Sequence, residues 1–248
     1  MLMIIDSHCH LKHGDAQRTE YSAEAIVSVM DSVGIDKSIV FAMSTTTSHS
    51  IEMARDAVEK FPDRLIPYVY ALPSYNDVVL SQLEQAISTL GFRGIKIHAG
   101  ECTLAEYVID PVIDLAGRSG VPCLIDCLGR YEAIDRMAGK FSQTKIIVAH
   151  FGQYLCKDES LIERFIRLAE RYDNVSLDTS GVIIVSKIKE AVKRIGAGRV
   201  IFGIDGPHES PDLIMFARAE LDKIRMLNLD PQDEIAVLGG NIANLLHI

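Results

Sequence analysis

The residues Asp6-Ser7-His8-Cys9-His10 carry the first concentrated chemistry of the chain, because they close an apolar run over residues 2–5. On a β-strand the side chains alternate faces, which points Asp6, His8 and His10 one way and Cys9 the other. Two imidazoles on one face at a strand end can grip a single metal ion through ring nitrogens. Further along, Lys96, Asp126, His150, Asp178 and Asp205 each end or follow a short apolar run. Asp205, before Gly206-Pro207, has the chemistry to ligate a metal and to take a proton from a metal-activated water. His150 has the chemistry of a ligand or of a group that polarises a substrate oxygen. Lys96 and His98 are two apart and share a face; they reach a common site, or Lys96 forms an internal ion pair. Asp178-Thr179-Ser180 reads most simply as a local turn.

The elements that must position these groups alternate along the chain. After the first strand, strands are expected at 37–42, 65–71, 94–98, 121–126, 145–149, 175–177 and 199–204, with Pro67 at the beginning of its strand because it cannot donate to a ladder. Helices are expected at 23–33, capped by Ser22 and stopped by Gly34, then at 51–60, 76–90, 110–119, 131–138, 161–171 and 187–195. Two more, 211–226 and 231–247, close the chain, the last interrupted at Gly239-Gly240. Continuous apolar strands alternating with helices imply a parallel sheet covered on both faces. No Gly-x-Gly-x-x-Gly follows the first strand and no Walker-type loop is present, which disfavours the nucleotide-binding open sheets. Eight β–α units in 248 residues indicate one domain over 1–248, a single (β/α)8 TIM barrel, a fold of ~250 residues.

On these boundaries, seven of the eight histidines (His8, His10, His13, His49, His98, His150 and His208) fall at a strand's C-terminal end or in the loop after it, and only His247 does not. Barrel active sites are built at that face. His13, His49 and His208 are expected on the substrate side or in solvent. The net charge of −9 argues against nucleic acid or an anionic membrane as partner, and no run is long enough to span a bilayer. The first residues read as a strand rather than a leader. The five cysteines form no metal or redox spacing and read as reduced thiols, so a cytoplasmic location is expected. A homo-oligomer is compatible with all of this.

As an ordered set, Asp6-x-His8-x-His10, Gly91-Phe-Arg-Gly-Ile-Lys-Ile-His98, Ile-Val-Ala-His150-Phe-Gly, Phe202-Gly-Ile-Asp205-Gly-Pro and the closing Gly239-Gly-Asn-Ile-Ala-Asn-Leu-Leu resemble the amidohydrolase superfamily, in its amidohydrolase-related branch of metal-dependent hydrolases and decarboxylases. The resemblance implies one divalent metal, zinc first with manganese or iron as alternatives, at the barrel mouth. His8 and His10 would be ligands, Asp205 a ligand and general base, and His150 would steady substrate or water. One position departs: the family's usual histidine at the end of strand five is Asp126 here. Asp126 then binds the metal through oxygen, or stands behind it while His98 or water completes the sphere, or marks a site without metal; the first is expected. Lys96 and His150 would stabilise an oxyanion, and His98, His208 and Arg130 would contact substrate. Lys12, Arg18, Lys96 and Arg130 near the mouth suggest a small anionic substrate. The activity implied is hydrolysis of an amide, ester or lactone, with non-oxidative decarboxylation and a non-catalytic barrel as alternatives.

Overall fold

The computed structural model describes residues 3–248; Leu2, where the first apolar run begins, lies outside the described residues. Eight strands form one parallel sheet in sequential order: β1 (Ile5–Lys12), β2 (Lys37–Ala42), β3 (Leu65–Tyr70), β4 (Gly94–His98), β5 (Cys123–Asp126), β6 (Ile146–Val148), β7 (Val175–Asp178) and β8 (Val200–Ile201). The ends meet through Ser7 N to Phe202 O (3.1 Å), Asp205 N to His8 O (2.7 Å) and His10 N to Gly206 O (2.7 Å). The chain is therefore a (β/α)8 barrel. Its helices are α1 (Ala23–Val33), α2 (Thr47–Lys60), α3 (Leu80–Ser88), α4 (Glu106–Ser119), α5 (Tyr131–Lys140), α6 (Glu159–Arg171), α7 (Ser186–Ile195) and α8 (Leu213–Arg225).

Strand alternation sorts the core into two layers. Ile39, Phe41, Tyr68, Tyr70, Leu124, Ile147 and Ile201 fill the barrel interior, while their neighbours Val40, Val69, Ile125, Val148 and Val200 pack outward against the helices. Gly94 on β4 has no Cβ because the Tyr68 ring occupies that space. Ile242, Ala243 and Leu246 of α10 (Asn241–Leu246) join the interior layer with Ile5 at the start of β1, so the last helix closes the barrel's floor. The expected break at Gly239-Gly240 is a π-helical stretch, Ala236–Gly240, between α9 (Pro231–Ile235) and α10.

Several boundaries differ from the sequence reading for identifiable reasons. The α1 helix runs as expected from the Ser22 cap to Gly34 in the left-handed region. The α2 helix starts at Thr47, because Thr46 caps it by accepting His49 N at 3.2 Å. His49 thus lies on a helix, exposed and facing Glu52 at 3.1 Å, and six histidines rather than seven follow strands. The α3 helix starts late because Asp77 takes Val79 N at 2.8 Å and Val79 turns with φ +53°. The α4 helix starts at Glu106, four residues before the expected start, and accommodates Pro111 in its interior. Pro67 is the third residue of β3; its carbonyl takes Arg93 N at 2.9 Å, so the side lacking an N–H faces the turn before β4, not a ladder. The regular part of β8 is short because Phe202 N bonds Val237 O at 3.0 Å and Ile204 N bonds Asp6 Oδ1 at 2.9 Å in place of a neighbouring strand.

Candidate active site

Strict alternation fails in one place that matters. The β1 register shifts between Asp6 and Cys9, and this bulge separates Asp6 from the histidines. Asp6 lies in the outer layer with Cys9 and Ser38, where its carboxylate accepts His8 N (3.0 Å) and Ile204 N (2.9 Å) and ties β1 to the β8 strand end. His8 and His10 point inward, and Cys9 outward as expected.

The C-terminal ends of the strands enclose a cleft of about 320 Å³ lined by His8, His10, His13, Lys96, Asp126 and Asp205, with His98, Tyr154 and His208 among its walls. Asp205 Oδ1 lies 2.8 Å from His10 Nε2 and 3.0 Å from His8 Nε2. Lys96, buried on β4, brings its Nζ to 2.8 Å from His8 Nε2 and 5.0 Å from the Phe41 ring centre. It therefore sits on the cleft floor rather than in a carboxylate ion pair. Asp126 Oδ2 faces His98 Nε2 at 3.2 Å and His150 Nε2 at 3.4 Å. His98 Nδ1 accepts Gly100 N at 3.1 Å, which leaves its Nε2 as the donor to Asp126.

The electrostatics divide the groups. Burial alone would raise the Asp205 carboxyl, but His8, His150 and the His10 hydrogen bond outweigh it and hold the group well below the usual carboxylate range. Asp126 is likewise held below that range, His150, His98 and Lys96 overcoming burial. His150 is pushed up to about 9: burial opposes its charge, and the Asp205 and Asp126 carboxylates prevail. Burial lowers His10 to about 4 despite Asp205, and lowers His8 with help from the Lys96 charge. Near neutral pH the site thus holds ionised carboxylates, neutral imidazoles at His8 and His10, and a cationic imidazole at His150. Two of these residues are strained: Asp205 and His150 occupy the left-handed region at φ +61° and +58°, a conformation that costs non-glycine residues energy and recurs at functional sites.

The donor set can take a divalent ion. The nitrogens and oxygens of His8, His10 and Asp205 lie within 4.8 Å of one another, and so do those of His8, His150 and Asp178. Neutral imidazoles and carboxylates are the forms that ligate, and a carboxylate oxygen beside two ring nitrogens suits zinc or manganese. Asp126 belongs to neither trio. Of the cations expected near the mouth, Lys96 lines the cleft; Arg130 is exposed at the start of α5 and Lys12 pairs with Glu20 at 2.6 Å. His13 lines the cleft but is fixed, its Nε2 donating to Pro207 O at 2.6 Å and its ring stacked 4.4 Å from that of His10.

Beneath the cleft lies a layer that the turn at Asp178-Thr179-Ser180 does not announce in the sequence. Asp178, fully buried, accepts Ser7 Oγ at 2.9 Å and Ser180 N at 3.1 Å, while Ser180 Oγ stands 3.2 Å from His8 Nδ1 and 3.0 Å from His150 Nδ1. The local turn expected at Asp178-Thr179-Ser180 is present, and it faces the histidines. Gly203 makes room for it, since a Cβ there would meet the Asp178 carboxylate. Tyr154, in the loop after β6, has no spacing that marks it in the sequence; its ring stands 5.1 Å from His150 and 6.3 Å from His208.

A profile of the amidohydrolase family matches residues 5–248. No curated protein matches the chain in sequence. Among solved structures, an amidohydrolase from Burkholderia multivorans with bound zinc shares 14% identity over 99% of each chain, with a TM-score of 0.79. A dihydroxybenzoic acid decarboxylase from Polaromonas, with bound manganese and the inhibitor 2-nitroresorcinol, shares 18% over 100% of this chain and 97% of its own, with a TM-score of 0.75. A probable 2-pyrone-4,6-dicarboxylic acid hydrolase from Acinetobacter baumannii, with citric acid bound, shares 16% over 100% of both, with a TM-score of 0.72. At these identities the likeness is one of fold.

Proposed function

The chain belongs to the amidohydrolase family, and on that premise we propose that it is a metal-dependent hydrolase of a small carbonyl compound carrying an anionic group. The observation that carries this reading is Asp205, an ionised carboxylate set 3.0 Å and 2.8 Å from the ring nitrogens of His8 and His10. We assign the metal to His8, His10 and Asp205, with zinc or manganese as the ion. When bound, the ion supplies Lewis acidity and makes water a nucleophile near neutral pH. Asp205 Oδ2, the oxygen turned toward His150 at 3.9 Å, accepts the proton from the attacking water and returns it to the leaving group. His150, cationic and beneath the cleft floor, keeps Asp205 and Asp126 ionised. Asp126 orients His98 and His150 rather than ligating. Lys96, the lysine lining the cleft, offers its ammonium to the developing oxyanion or to a substrate carboxylate. The five buried free cysteines suit a reducing cytoplasm, and among the described residues no helix is long and apolar enough to cross a membrane.

A second reading is favoured by one feature of the cleft. His13 and His208 lie 4.6 Å apart with Tyr154 beyond them, a wall of rings suited to a flat conjugated acid; on that substrate the same metal and Asp205 would serve non-oxidative decarboxylation. The purified protein, incubated in oxygen-18 water with a panel of lactones, amides and unsaturated acids, separates the two. Hydrolysis is expected to place one labelled oxygen in the product carboxylate. Release of carbon dioxide with a proton added on carbon would replace this reading with the second.

A further inference from the structure

We propose that Ser180 is a positioning residue that fixes the tautomer of His8, keeping the Nε2 lone pair turned into the cleft, and that Asp178 acts on His8 through this hydroxyl. The proposal deepens the reading above, since it rests on His8 as a ligand through Nε2.

Donors and acceptors around Ser180 fix the tautomer. Asp178 Oδ1 lies 3.7 Å from His8 Nδ1, too far for a direct hydrogen bond. Its oxygens instead accept Ser180 N (3.1 Å), His150 N (3.3 Å), Ser7 Oγ (2.9 Å) and the Ser180 hydroxyl itself. An ionised carboxylate only accepts, so the single Ser180 proton is committed to Asp178. Ser180 Oγ then presents two lone pairs, and the two atoms facing it are His8 Nδ1 at 3.2 Å and His150 Nδ1 at 3.0 Å. Both rings must therefore carry a proton on Nδ1. The other side of the His8 ring does not select a tautomer, since Nε2 faces both Lys96 Nζ at 2.8 Å and Asp205 Oδ1 at 3.0 Å, a donor and an acceptor. Burial keeps the His8 ring neutral, so its one proton sits on Nδ1 and Nε2 holds the lone pair.

The hydroxyl is held from behind. Gly181 N donates to Glu220 Oε2 at 3.1 Å, and Lys223 Nζ donates to Thr179 O at 3.0 Å and to Glu220 at 2.6 Å. The α8 helix thus anchors the residues on both sides of Ser180. His150 differs from His8 in one respect that the test exploits: its Nδ1 also reaches the backbone oxygen of Ser180 at 2.9 Å. Removing the hydroxyl leaves His150 an acceptor and leaves His8 none within hydrogen-bonding distance.

The full chain, labelled with nitrogen-15 at histidine, reports ring protonation nitrogen by nitrogen in long-range correlation spectra. In metal-free wild type, His8 is expected as the pure Nδ1–H tautomer. In Ser180→Ala, His8 should become a mixture with Nε2–H while His150 keeps its Nδ1 proton, and Ser180→Thr should restore the wild-type pattern. Zinc affinity, read by competition with a chromophoric chelator, should fall about 10- to 100-fold in Ser180→Ala, the usual cost of losing a ligand's outer partner, and recover in Ser180→Thr. An unchanged His8 tautomer in Ser180→Ala, or no recovery in a folded Ser180→Thr, would overturn the proposal. A wild type that shows the expected tautomers but binds no zinc would overturn the metal reading and leave the assignment of Ser180 standing.

Discussion

At the scale of single residues, the site is a set of charges that hold one another in their working forms. His150 shows this most directly. Its charge depends on the carboxylates of Asp126 and Asp205, so its raised pKa of about 9 measures their presence. A histidine raised above its ordinary value of ~6.5 contributes stability that is complete below that value and is lost as pH climbs through the folded pKa. Asp126 runs the other way: held low, it contributes stability above its unfolded pKa that is lost in acid. Asp126→Asn removes a negative charge beside the His150 ring, so the titration of His150 should move from about 9 toward ~6.5. Any alkaline limb of the activity profile that follows His150 should move to lower pH with it. Titration of the His150 ring by nuclear magnetic resonance in both proteins checks the sign; an unmoved His150 would mean that Asp126 does not hold its charge. Residue types made much of this site legible, because histidine, aspartate and lysine at strand ends are conspicuous. Ser180 was not legible, because a serine two residues after an aspartate announces a turn, and only the fold brings His8 to it across 172 positions.

At the scale of elements, what could be read from the chain was the alternation, and what could not was where side chains interrupt it. Lys37–Ala42 and Gly94–His98 have the expected ends. Alternation puts Asp6 on the face of the histidines and the structure puts it on the other, since a bulge leaves no mark in residue type and the parity of every side chain changes across it. Past the short β8 strand the chain meets the same displacement from the other side, the Ile204 amide bonding Asp6. The α10 helix shows only as an apolar stripe, and stripes do not say that they plug a barrel. Where β7 and β8 pack together, the element has no slack. Gly203 backs directly onto Asp178, with Ser7 Oγ 3.0 Å and His8 Cβ 3.1 Å from the position a Cβ would take. Gly203→Ala should therefore cost about 1–3 kcal/mol of stability, the usual price of overpacking, and weaken metal binding as well. Urea unfolding and zinc titration read the two effects; a variant as stable and as tightly loaded as wild type would show that the layer is looser than its geometry.

At the scale of the whole molecule, the barrel gathers groups that the chain keeps far apart. His8 and His10 come from one end of the sequence and Asp205 from near the other, and the β1–β8 seam joins them within 3.0 Å. A chain with a net charge of −9 thereby concentrates imidazoles and a lysine at one mouth, where carboxylates keep a place for a cation. Binding there would act on the native state alone, since the unfolded chain has no such arrangement, and would raise the stability of the entire barrel by mass action. The proposed function requires that ion. Protein purified without chelators or an affinity metal, then analysed by plasma mass spectrometry and thermal unfolding, gives the direct measurement. About one zinc or manganese per chain is predicted, with a higher melting temperature on loading, and both should be lost in the His8→Ala/His10→Ala variant. A wild type that holds no divalent metal and shows no thermal response to any, or a double variant that retains the ion undiminished, would contradict it.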